Sequence, residues 1–74
     1  MTLEQDCLAV LMKQMGPAAK VFLDRQCRHH LRKEPSQLQK DDLLELAKLC
    51  FSVTQTALGV VAAENIKKGI LALQ

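Results

Sequence analysis

The sequence predicts an all-α fold: a four-helix bundle of two helix–glycine–helix hairpins, in a single domain over residues 1–74. Three observations predict it. Apolar residues recur at three- and four-residue steps along most of the chain, the spacing that lines one face of a helix. Gly16-Pro17 and Gly59 punctuate that pattern, and Glu34-Pro35 interrupts it between them. The interior must be aliphatic, because the chain has no Trp or Tyr and only two Phe, Phe22 and Phe51.

The first helix is expected over 2–15, with Leu3, Cys7, Leu8, Leu11, Met12 and Met15 as its apolar stripe. Thr2 is its expected N-cap, and Glu4 and Asp6 suit the positive end of the helix dipole. Gly16 closes it, and Pro17 is preset for the first turn of the next helix. The second helix is expected over 17–33, burying Ala19, Phe22, Leu23, Cys27, His30 and Leu31. Arg25, Arg28, His29 and Arg32 fall on its outward face, and its last turn gathers the cations that a negative helix end favours.

Glu34-Pro35 stops this helix, since the residue before proline avoids helical geometry. Ser36 to Lys40 read as a polar connection with one apolar plug, Leu38. The third helix is expected over 42–58, opened by a capping box with Asp42 as cap and Glu45 as its partner. Leu43, Leu46, Ala47, Cys50, Phe51, Val53, Ala57 and Leu58 carry its apolar side. The fourth covers 60–73, with Ala62, Ala63, Ile66, Ile70 and Leu73 inward and Glu64, Lys67 and Lys68 outward. One long helix over 42–73 competes with a break at Gly59, because a lone glycine inside a helix costs only about 1 kcal/mol. The expected core anchors are Leu8, Met12, Phe22, Leu23, Leu46, Cys50, Phe51 and Ile66.

A faint internal repeat favours the break. A shift of 43 positions aligns Leu3 with Leu46, Cys7 with Cys50, Val10 with Val53, Gly16 with Gly59, Ala19 with Ala62 and Leu23 with Ile66. Both halves then read as helix–glycine–helix, although helical sequences share apolar periodicity by default.

Composition bounds the function. A 74-residue chain buries a small share of its surface, so one core leaves thin stability. The apolar fraction is 49% and mean hydropathy is +0.02, high for so little interior. Apolar surface is therefore expected to lie against another chain, with self-association as the simplest form. Cys7, Cys27 and Cys50 are odd in number and widely spaced, which fits small core hydrophobes in a reducing, cytoplasmic compartment better than a disulfide framework. The start MTLEQDCLAV has no basic leader region, and no apolar run is long enough to span a bilayer.

Net charge is only +2, but it is unevenly spread. Lys20, Arg25, Arg28, Arg32 and Lys33 face the single Asp24 within residues 20–33, while Asp41, Asp42 and Glu45 form an acidic group.

No catalytic equipment is legible. The only serines are Ser36 and Ser52, there is no Gly-rich phosphate loop, and Asp41 and Asp42 read as helix-start residues. No enzyme, cofactor or small-molecule substrate is expected. Cys27 and His30 share a helical spacing, with His29 beside them, yet neither Cys7 nor Cys50 adds a nearby second ligand. A zinc site needs four ligands, and a haem between the helices would draw on the same histidines without further support, so no metal is expected. Nucleic-acid binding through the basic face of helix 2 is the main alternative function. No aromatic residue interleaves those cations to stack on bases, and Asp41, Asp42 and Glu45 would repel phosphates from the start of helix 3. Membrane attachment lacks an interfacial Trp.

Protein recognition is therefore the favoured class. Arg25, Arg28, His29, Arg32 and Lys33 are the expected partner-contact residues. They could meet an acidic surface, including Asp41, Asp42 and Glu45 of a second copy, in a salt-sensitive association.

The stretch Leu11-Met12-Lys13-Gln14-Met15-Gly16-Pro17-Ala18-Ala19-Lys20-Val21-Phe22-Leu23 resembles small helical modules attached to bacterial signalling proteins. Those modules have a Gly-Pro-x-Ala turn between two helices, then an aliphatic pair and a basic residue. Gly16, Pro17 and Ala19 match the turn, Phe22-Leu23 the pair, and Arg25 the basic position. The match covers about a fifth of the chain, and the longer basic helix and the second hairpin, 42–73, depart from it. The resemblance implies a non-catalytic regulatory or interaction domain of a bacterial signalling system.

Overall fold

The computed structural model describes residues 2–74, so Met1, the first position of the expected domain, lies outside the described residues. The described residues are helical and contain no strand. Three long helices carry the architecture: α1 (Leu3–Met15), α3 (Leu43–Ala57) and α4 (Val60–Leu71). The expected second helix is broken up. It opens with a 3-10 turn, Gly16–Ala18, continues as an eight-residue helix α2 (Ala19–Gln26), and widens into a π-helical turn, Cys27–Leu31. α3 and α4 pack most extensively, and α1 packs on both α2 and α4.

Local chemistry explains the ends. The Thr2 hydroxyl accepts from the Gln5 backbone N–H at 3.2 Å, and the Gln5 side chain accepts from the Thr2 N–H at 3.2 Å. This reciprocal box satisfies two backbone donors at the start of α1, and Gln5 is its unforeseen half. Gly16 has φ 62° and ψ −141°, and Gly59 has φ 95° and ψ 165°. That region of backbone space is essentially reserved for glycine. The break at Gly59 is real, and the single helix over 42–73 does not form.

Both joints use a positive-φ glycine, and burial follows the 43-residue offset at some positions but not at Leu3/Leu46, Val10/Val53 or Ala19/Ala62. Cys7, Leu11, Leu23 and Cys27 are buried in the first half, and Cys50, Thr54, Ile66 and Ile70 at the same 43-residue offset. Thr54 is tolerated inside because its hydroxyl donates to the Cys50 carbonyl one turn back. Leu38 is buried, as a plug should be, with Leu43, Leu46, Ala47 and Ala63 completing the interior.

Several expected core positions lie elsewhere. Met12 is 50% exposed, and Val53, Ala57, Leu58 and His30 are exposed as well. Leu8, Phe22 and Phe51 are only partly buried, with Lys67 Nζ 5.3 Å from the centre of the Phe51 ring. The physical reason for His30 is the π turn. Its wider winding rotates the residues after Gln26 away from α-helical register, leaving Gln26 and Cys27 buried and His30 outside. Gln26 Oε1 is buried with no hydrogen-bond partner.

Candidate protein-interaction surface

The basic face is shaped by how the second helical segment ends. Arg32 adopts φ 57° and ψ 40°, a left-handed conformation that side chains other than glycine rarely take. The backbone N–H groups of Arg32 and Lys33 both donate to the Cys27 carbonyl, the latter at 3.2 Å, which closes the wide turn. Helix 2 therefore ends at Leu31, with Arg32 as its cap and Lys33 beyond it. The chain then reverses through Glu34, whose N–H donates to Gln37 Oε1 at 2.9 Å. Arg28, His29, Arg32, Lys33, Glu34 and Gln37 line an open concavity of about 570 Å³ at this reversal.

The cations in it differ in their commitments. Arg28 Nε donates to Asp24 Oδ1 at 2.8 Å, and its Nη1 lies 3.4 Å from Glu34 Oε1. The hydrogen bond to Asp24 holds the Arg28 guanidinium above its ordinary pKa. Lys33 Nζ donates to Asp42 Oδ2 at 2.8 Å in a partly buried contact. Arg25, His29 and Arg32 are exposed and make no ion pair among the described residues.

The acidic group is divided too. Asp41 and Glu45 are exposed, but Asp42 is turned back onto the connection. Its Oδ2 accepts from the Gln39 backbone N–H at 2.9 Å as well as from Lys33. These bonds hold its carboxyl below the ordinary range, the Lys33 contact being the largest cause. The expected Asp42–Glu45 capping box at α3 is thus corrected. Asp42 makes no side-chain cap bond there, because a 3-10 turn, Lys40–Asp42, precedes the helix and brings its carboxylate back onto Gln39.

Cys27 points into the core whereas His29 and His30 lie outside, so the cysteine and histidines do not converge. Cys7, Cys27 and Cys50 are fully buried free thiols from three different helical segments. Burial pushes their pKa values up, to about 12 for Cys7 and Cys50 and about 11 for Cys27. Such thiols are poor nucleophiles.

A second surface was not legible as a site. The tip of the α3–α4 pair exposes Val53 and Leu58 at 42% each, Val60 at 58% and Val61 at 76%. No charged side chain occurs between Lys48 and Glu64. That charge-free run is the available signal, masked at Val53 and Leu58 because helical spacing places them on the apolar side. A smaller groove of about 260 Å³ lies between α1, α2 and Pro35, lined by Leu8, Val21 and Leu23 with Glu4, Lys20 and Asp24 at its rim. No described helix is long and apolar enough to cross a membrane.

Comparison of the chain with protein-family models, curated proteins and solved structures gave no match.

Proposed function

We propose that the chain is a non-catalytic protein–protein interaction or regulatory module that self-associates. In this reading the two helix pairs act as one cytoplasmic four-helix unit of a bacterial signalling system, as its Gly-Pro-x-Ala resemblance implies. The observation that carries the reading is the uncharged tip bearing Val53, Leu58, Val60 and Val61. These exposed aliphatic residues fall within one charge-free run of the sequence, and apolar surface left open on a small domain favours contact with another chain. A twofold contact brings one patch against its own copy, so a patch without charge avoids self-repulsion.

The basic concavity supplies a second, polar surface for a partner. Nucleic-acid binding has less support, because Asp24 holds Arg28 Nε and no Phe, Tyr or Trp lines the concavity to stack on bases.

Sedimentation velocity at low and high salt tests the proposal. Association through the tip is expected to persist at high salt and to be lost in Val61→Asp at unchanged melting temperature. A monomer at high concentration under both conditions would refute it.

A further inference from the structure

We infer that the concavity at the end of the π-helical turn is a carboxylate-binding site for an acidic peptide segment of a partner protein, with Glu34 as its internal stand-in. The inference rests on the protein-interaction reading above and names the partner's chemistry.

Three features converge. The concavity gathers Arg28, His29, Arg32 and Lys33 on one open wall. Arg32 reaches it from a left-handed backbone, a conformation that costs about 1–2 kcal/mol for an ordinary side chain and that glycine would fill without strain. A cation there has no ion-pair partner among the described residues to account for it. Finally, the carboxylate of Glu34 already lies in the concavity. It sits 3.4 Å from Arg28 Nη1, longer than a charge-assisted hydrogen bond, and both side chains are more than half exposed.

A loose internal carboxylate on an exposed guanidinium is what an incoming carboxylate would displace. The guest takes Arg28 Nη1 in place of Glu34, while Asp24 keeps Arg28 Nε and so keeps the guanidinium in position. Arg32 and His29 then supply cations not spent within the chain. Lys33 stays on Asp42, in the least exposed of the three ion pairs.

The occupant is a peptide rather than a nucleic acid for reasons of charge layout. Asp24 and Glu34 stand among the cations, and Asp41 and Glu45 are exposed on either side in sequence of Asp42, the residue that Lys33 contacts. A continuous phosphate backbone would run across these carboxylates, whereas one or two Glu side chains can enter between them.

Fluorescence anisotropy of the full chain with a labelled hexaglutamate peptide at about 50 mM salt tests the inference. Arg32→Gln is expected to weaken binding roughly fivefold, the value of one exposed charge contact. Glu34→Gln is expected to strengthen it about two- to fivefold by removing the competitor. Opposite signs in two variants that melt like the parent support the displacement. Failure of the parent to bind, equal responses in both variants, or tighter binding of a single-stranded or duplex oligonucleotide of equal charge would overturn it. Self-association measured on the same samples keeps the readings apart, since an associating chain that ignores hexaglutamate loses this site but not its role as a module.

Discussion

Gly69 sits inside α4, where alanine would ordinarily be the better residue by about 1 kcal/mol. Here the sign should reverse. A β-carbon at Gly69 would lie 2.6 Å from Val10 Cγ1 and 3.2 Å from Val10 Cγ2, because α1 and α4 approach closely at that point. Valine has little rotamer freedom to yield within a helix, so the clash must be relieved by moving helices. Overpacking of this kind costs about 1–3 kcal/mol, which outweighs the gain in helix propensity. Gly69→Ala is therefore expected to destabilise by about 1 kcal/mol, a fall of roughly 4–8 °C in Tm for a domain of this size. Val10→Ala removes both Cγ atoms and leaves Val10 Cβ at 3.5 Å as the nearest atom, an ordinary contact. In that background Gly69→Ala should stabilise by about 1 kcal/mol, giving a coupling near 2 kcal/mol across the cycle. Urea unfolding of the four proteins by circular dichroism reads it directly. A Gly69→Ala protein that melts above the parent would show that α1 and α4 have slack, and the reasoning would fail.

Three other outcomes are expected. Asp42→Asn should lose about 1 kcal/mol at neutral pH, an exposed-pair magnitude. Because the carboxyl pKa is lowered in the folded chain, its contribution is complete above the ordinary value of 3.8 and fades as pH falls below it. Urea midpoints of parent and variant should therefore draw together as the pH falls below that value. The three thiols should resist a water-soluble disulfide reagent until the chain unfolds, counted by absorbance with and without urea. Their raised pKa values mean that the folded state holds protons which the unfolded state releases, so stability is full below about pH 9 and lost as pH climbs towards 12. Gly59→Ala should cost about 1–2 kcal/mol, measured by thermal melting. Its new methyl group meets no atom within 4 Å, so the loss comes from a positive φ alone.

The glycine joints and the Thr2 cap were legible because each rests on backbone chemistry acting within a few residues, whereas the second helix ends at Leu31 on a left-handed Arg32, ahead of the expected stop at Pro35. Inward faces were legible where the helix stays regular, as at Cys7, Leu11, Ala63, Ile66 and Ile70. Legibility failed at the π turn, where a spacing of 3.6 no longer applies. Regular spacing therefore places His30 inward, whereas the wider turn puts it outside. Gln26 does keep the α spacing of Ala19 and Leu23 but is polar and so gives no apolar signal. It failed again near the end of α3, where Val53, Ala57 and Leu58 are apolar at helical spacing yet exposed, while the polar Thr54 takes the buried position. In the candidate site the cations were readable as a group, whereas their division into paired and unpaired members was not. Asp24–Arg28 is a four-residue helix pair and could have been read. The Lys33–Asp42 and Arg28–Glu34 pairs depend on a chain reversal that no periodicity announces.

The connection through residues 32–42 also decides whose helices pack together. α1 and α2 belong to one side of it, α3 and α4 to the other, and the Asp42 carboxylate clasps the two ends through Lys33 and Gln39. With the clasp shut, a molecule closes upon itself. Unfastened, the same contacts are available between two molecules that trade their C-terminal halves. Such an exchange would have to release Asp42 Oδ2 from Lys33 and Gln39 in each chain.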